Sequence, residues 1–88
     1  MKVEYRKPFL KELARIPSRQ RNEIEQFVFE KLPAMKSISE SGRIERMKGY
    51  PGFYKVRFGH YRVGLKIENE TVILERALHR KDIYRYFP

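Results

Sequence analysis

The chain of 88 residues has no cysteine, so disulfides and thiolate metal sites are excluded and a reducing compartment is the natural setting. It also lacks long apolar runs. The opening segment from Met1 to Arg6 carries three charged side chains, unlike a signal peptide, and no later stretch approaches the length of a membrane span. A cytoplasmic protein with no membrane partner is expected. Internal repeats, low-complexity segments and linkers are absent, and the length suits one domain spanning residues 1–88. Histidines and carboxylates show no metal-ligand spacing, so neither a metal-dependent reaction nor a bound cofactor is expected. Acidic residues are few, 11 against 20 lysines and arginines, for a net charge of +9.

That excess points to a polyanionic partner: RNA, DNA, an anionic membrane or an acidic protein. A membrane surface would favour bases gathered on one amphipathic helix, and here they are spread along the chain. A solvated basic surface with no partner is the plain alternative.

Alternation of Val3 and Tyr5 with Lys2, Glu4 and Arg6 predicts a short, half-buried strand. Pro8 suits the first turn of a helix whose apolar stripe is Phe9, Leu10, Leu13 and Ile16, with Pro17 as its stop. Ser18 is a candidate N-cap for a second helix carrying Ile24, Phe27, Val28 and Leu32, ended by Pro33. The segment Ala34 to Arg43 reads as a loop, and Ile44 to Lys48 as a short strand. Three clearer strands follow, at Phe53 to Phe58, Tyr61 to Ile67 and Val72 to Leu78. A short helix or turn over Arg80 to Phe87 closes the chain. Helices followed by strands argue for an α+β fold: an N-terminal strand and a helical hairpin packed on a mostly antiparallel sheet of about four strands.

Gly59-His60 is a two-residue turn with glycine where a type II′ hairpin wants it. That fixes the register, with Phe58 opposite Tyr61, Arg57 opposite Arg62, Val56 opposite Val63 and Lys55 opposite Gly64. Tyr54, Val56, Phe58, Tyr61, Val63 and Leu65 then share an apolar face that belongs against the helices. Lys55, Arg57, Arg62 and Lys66 share the other. Directly opposed like charges repel by up to about 1 kcal/mol, and an anion between Arg57 and Arg62 would turn that cost into a binding site. Gly64 leaves a shallow place beside Lys55 where a sugar or backbone could approach. His79-Arg80-Lys81 and the tail tyrosines Tyr84 and Tyr86 would arrive at the edge of this face. Cations interleaved with aromatics suit RNA, because rings stack on unpaired bases while cations hold phosphates. For Phe87, plain packing of the terminal segment is the better reading.

In order along the chain, Lys48-Gly49-Tyr50-Pro51, Tyr54-Lys55-Val56-Arg57, Gly59-His60-Tyr61-Arg62 and Leu78-His79-Arg80-Lys81-Asp82-Ile83-Tyr84 resemble the signature of the RelE/ParE toxin superfamily. The resemblance covers essentially the whole chain. It implies a compact microbial-ribonuclease-like (RelE) fold, and an antitoxin partner that lies across the basic face or displaces the tail. In the RelE branch it implies cleavage of mRNA in the ribosomal A site. The ParE branch shares the fold but poisons DNA gyrase and lacks the basic catalytic set. Lys55, Arg57, Arg62 and Arg80 match positions where RelE-type enzymes keep their bases, and Tyr84 or Tyr86 could match the catalytic tyrosine. His60 departs from the aspartate more usual in relatives.

RNA can be cut by its own 2′-hydroxyl, given a proton acceptor, stabilisation of the phosphorane and a donor for the leaving 5′-oxygen. On this reading Arg57 and Arg62 grip the scissile phosphate. Lys55, crowded by cations, is the candidate acceptor. His79, Arg80 or Tyr84 would supply or orient the leaving-group proton, while Lys48, Lys66, Lys81 and Tyr86 bind flanking RNA. The expected partners are mRNA, the ribosomal A site and an acidic antitoxin. The rivals are a gyrase-directed toxin and a non-catalytic RNA-binding module.

Overall fold

Lys2–Tyr5 forms β1, with Val3 and Tyr5 turned towards the core and Lys2 and Glu4 exposed, as the alternation dictates. In the computed structural model, which describes residues 1–88, β1 leads through Arg6 into α1 (Lys7–Leu13). Pro8 sits in the first turn of α1, and Phe9 and Leu13 are its buried side chains. The helix ends before the expected stop at Pro17. Arg15 and Ile16 instead donate to the carbonyls of Glu12 and Leu13, tight turns of 3.0 and 3.1 Å that leave Ile16 buried in the core.

Two helix boundaries differ from expectation. Pro17, not Ser18, is the N-cap of α2 (Ser18–Glu25): its carbonyl accepts the Arg21 N–H at 2.9 Å, so Ser18 already lies inside the helix. Pro33 does not stop the chain's second helix. A π-helical turn over Gln26–Lys31 follows α2 and continues into α3 (Leu32–Ala34). Proline offers no N–H and its ring crowds the carbonyl four residues back. Widening the helix, with Leu32 bonded to the Phe27 carbonyl, makes room for it. The following segment, expected as loop, holds a short 3₁₀ turn at Ile38–Glu40, closed by a capping box between Ser37 and Glu40.

The remaining strands are β2 (Ile44–Arg46), β3 (Phe53–Phe58), β4 (Tyr61–Glu68) and β5 (Thr71–His79). They form a sheet of five strands in the order β1-β5-β4-β3-β2. All neighbours are antiparallel except β1 and β5, which run parallel. This is the expected α+β arrangement, with five strands rather than about four because β1 joins the sheet at its edge beside β5. The short strand expected at Ile44 to Lys48 is present as β2 and ends at Arg46. The β3–β4 register is the one the Gly59-His60 turn predicts, and Gly59 has φ +61°. The β4–β5 turn is tighter than read from the sequence: Asn69 and Glu70 alone bridge it, both left-handed, at φ +48° and +64°.

Val56, Phe58, Val63, Leu65, Val72, Leu74 and Ala77 on the sheet meet Phe9, Leu13, Ile24, Phe27, Val28 and Leu32 from the helices. The opposite sheet face is only partly covered, by the terminal helix α4 (Ile83–Tyr86) and Phe87. Between Gly64 and Leu65 the β4–β5 register slips by one, leaving Glu75 without a partner. This bulge lets Leu74 and Ala77 both face the helices, while Ile73, Arg76 and Leu78 look to the tail side.

Candidate nucleic-acid interface

Because the side chains of paired residues share a face, the β3–β4 register gathers Lys55, Arg57 and Arg62 on the side away from the helical hairpin. The three do not stand as free cations. Lys55 Nζ donates to Tyr84 Oη at 3.1 Å and lies 5.3 Å from the centre of that ring. Arg57 reaches Glu45 at 3.3 Å, and Arg62 folds back onto the carbonyls of Gly59 (2.7 Å) and Tyr61 (3.0 Å). The Arg57–Glu45 pair is open to water, with side chains 60% and 40% exposed. Such a pair is worth at most about 1 kcal/mol and yields readily to a backbone phosphate, whose oxygens can take both arms of a guanidinium.

Tyr84 arrives from α4, which crosses β4. Ile83 and Phe87, one helical turn apart, are buried, and the Phe87 ring lies on Gly64 and edge-on to Phe53 at 5.7 Å. A Cβ on Gly64 would come within 2.6 Å of that ring. Gly64 is therefore not the open place for a sugar that its missing side chain suggested: Phe87 fills it, and close approach of the tail is what the glycine permits. The packing reading of Phe87 holds.

On the far flank of α4, Tyr86 lies over Arg76, its ring centre 5.1 Å from the guanidinium carbon. Arg76 is held by Glu12, with Nε 3.0 Å from both carboxylate oxygens. That hydrogen bond is the main cause pushing the Arg76 pKa above its ordinary value, against the desolvation of a half-buried group. Lys66 is engaged elsewhere, bonded to Glu68 at 2.7 Å and 5.4 Å from the Phe53 ring centre. Its hydrogen bond, with its charge, holds the Glu68 carboxyl below the usual range.

A family model described as the ParE toxin of type II toxin-antitoxin system, parDE, matches residues 3–84. The toxin RelE3 of Methanocaldococcus jannaschii is 38% identical over 89 residues, covering all of both chains. The chain belongs to the RelE/ParE superfamily of toxins. A solved RelB-RelE antitoxin-toxin complex from Methanococcus jannaschii superposes with a TM-score of 0.81 at 36% identity, over 98% of this chain and 100% of that one. The isolated E. coli RelE toxin, at 18% identity, shares the fold, with a TM-score of 0.67 over 89% of this chain and 82% of that one.

Within this toxin fold the residues singled out in the sequence fall into groups. Lys55, Arg57, Arg62 and Tyr84 share one face, flanked by Tyr86. Arg80 and Lys81 are exposed in the turn between β5 and α4, and Lys48 is exposed on the β2–β3 loop. His79 is not brought to the cations. It pairs with Tyr61, which places it on the helix side of the sheet, stacked on His60 at 5.9 Å and edge-on to Tyr61 at 5.4 Å. Its Nδ1 accepts the Lys81 N–H at 3.1 Å, a turn-capping role. Conversely, Glu45 was not anticipated: it stands directly opposite Lys55 across the β2–β3 ladder and brings a carboxylate to the basic face. Its alternation between Ile44 and Arg46 was the available signal, but only the pairing register could aim it. No helix is long and apolar enough to cross a membrane.

Proposed function

We propose that this toxin is a metal-independent endoribonuclease that cuts mRNA on the ribosome by attack of the 2′-hydroxyl, and so stops translation. The observation that carries the reading is the contact of Lys55 Nζ with Tyr84 Oη, joining residues 29 apart in sequence on the face that also holds Arg57 and Arg62.

The chemistry follows from that grouping. The scissile phosphate displaces Glu45 from Arg57 and draws Arg62 off the turn carbonyls, so that two guanidinium forks meet the charge growing on the phosphorane. Tyr84 has an O–H free to point outward while its oxygen accepts from Lys55, so the pair can pass a proton to the leaving 5′-oxygen. The 2′-proton needs an acceptor nearby. A Lys55 amine that starts neutral can take it and pass a proton on to Tyr84 as Tyr84 gives its own to the leaving oxygen. Alternatively, the Glu45 carboxylate takes the 2′-proton while the Lys55–Tyr84 pair protonates the leaving oxygen. Exposed Arg80, Lys81 and Lys48 would hold phosphates beyond the cut, and Tyr86 offers a ring for stacking. The ribosome would supply orientation that an open, shallow face cannot.

The partner reading rests on the same face. The similar Methanococcus jannaschii RelE was solved with RelB, which supports a cognate antitoxin, and the net charge of +9 is the reason to seat an acidic one over the basic surface. Co-purification with a small acidic protein tests it.

Arg62→Ala should abolish cleavage and growth arrest while leaving the melting temperature unchanged, since its side chain is half-exposed and its partners are turn carbonyls. A well-expressed Arg62→Ala protein that still arrests growth overturns the site. The match to the ParE family model favours one rival, poisoning of DNA gyrase. Gyrase-trapped DNA breaks with intact mRNA would establish that rival instead.

A further inference from the structure

The four-residue helix α4 is far too short to hold its own conformation, so whatever docks it decides where Tyr84 lies. Its docking is two-sided. Ile83 and Phe87 point down onto the sheet, Tyr84 reaches Lys55 on β3, and Tyr86 reaches Arg76 on β5. The β5 flank is the built one. Glu12, at the end of α1, accepts the Ala77 N–H at 3.0 Å beyond the point where β1 stops covering β5, and clamps Arg76 through both oxygens. The Arg76 and Glu12 side chains are 26% and 12% exposed, so this pair, unlike Arg57–Glu45, is withdrawn from water and fixed in geometry.

We propose that Glu12 and Arg76 are positioning residues for cleavage: they fix the Tyr86 flank of α4 and thereby hold the Tyr84 hydroxyl against Lys55 Nζ. The inference rests on the ribonuclease reading above. Neither residue touches the RNA in this scheme. They act through Tyr86, the α4 backbone and Tyr84. A pair that merely closed the sheet edge would support stability and leave the catalytic geometry alone, which the following comparison separates.

Single-turnover cleavage of translated mRNA is measured at saturating ribosomes for the wild-type toxin, Arg76→Ala, Arg76→Lys and Tyr86→Leu, each alone and with Tyr84→Phe. Arg76→Ala should lower the rate constant by roughly 10- to 100-fold with the half-saturating concentration unchanged, and Tyr86→Leu, which also removes a stacking ring, should lower the saturated rate constant by as much. Arg76→Lys keeps the charge but loses the planar fork, and should recover only part of the rate. In the Tyr84→Phe background the same changes should cost nothing further, because their route to the chemistry is gone. Equal losses with and without the Tyr84 hydroxyl would overturn the proposal. A second readout needs no activity: nuclear Overhauser contacts between the Tyr84 ring and the Lys55 side chain should vanish in Arg76→Ala and Tyr86→Leu, and their persistence also overturns it. If Arg76→Ala fails to fold, Tyr86→Leu, whose ring is exposed, carries both tests. Wild-type protein that leaves every message intact defeats the ribonuclease reading. Wild-type protein that cuts, with variants that behave additively, defeats only the positioning role.

Discussion

Lys55 shows how register alone aims a single side chain. It alternates with Val56, so it must face away from the core, and the fixed Gly59-His60 turn puts it level with Gly64, over which the tail passes. That much is legible in the sequence, because alternation and a two-residue turn leave no freedom. Glu45 and Arg76 were not legible. The first depends on how an edge strand pairs, and the second on a bulge that no local pattern announces. Two residue-level predictions test the backbone and burial arguments. Glu70 sits at φ +64° in the β4–β5 turn, a left-handed position costly for any side chain, so Glu70→Gly should raise stability by about 0.5 to 1 kcal/mol in chemical denaturation. Tyr5 donates its hydroxyl to the Val28 carbonyl at 2.7 Å, and burial pushes its pKa above the ordinary 10.0. The fold thus favours the neutral phenol. Its contribution is fully present below pH 10 and is lost as pH rises through the raised value. Tyr5→Phe should cost about 1 kcal/mol at neutral pH and should lose less stability than the parent in alkaline melts.

The helical elements were legible in existence and wrong in their joints. Apolar spacing places Phe9, Leu13, Ile24, Phe27, Val28 and Leu32 correctly in the core, but neither proline is the stop its chemistry suggests: α1 ends short of Pro17, and the second helix runs past Pro33. At Pro33 the chain instead widens into a π turn, a remedy for a missing donor that residue-by-residue propensity cannot foresee. The Ser37 to Glu40 capping box, by contrast, is visible in the sequence as a spacing, although the polar composition around it reads as loop. The element with most consequence is α4, whose seat depends on one absent side chain. Gly64→Ala places a methyl group within 2.6 Å of the Phe87 ring, against a backbone that cannot give way. The tail, rather than the sheet, should yield. Amide hydrogen exchange at residues 83–87 should rise by orders of magnitude while β3, β4 and β5 stay protected, and cleavage should fall with it. Unchanged protection of the tail would mean that Phe87 is not the anchor described.

At the scale of the whole molecule, the sheet separates two jobs. One face is given to the hairpin core, and the other is left basic, half-covered by a short tail and open to a partner. Composition announced the charge, and the RelE/ParE motifs announced the fold. The acids that temper the face, Glu45 beside Arg57 and Glu68 beside Lys66, were hidden in plain counts. If three or four cations meet phosphates there, the logarithm of RNA affinity should fall with the logarithm of salt at a slope of about −2 to −3, and Arg57→Ala should reduce that slope by about 0.7. A salt-independent affinity would place the RNA elsewhere. The central claim, that this basic face cuts mRNA, is tested most directly by primer extension on a message translated with and without the protein. On that claim, new 5′ ends should appear within translated codons, vanish when Arg62→Ala replaces the wild type, and form far more slowly, though still measurably, with Tyr84→Phe. Full-length message in the presence of folded, growth-arresting toxin would contradict it.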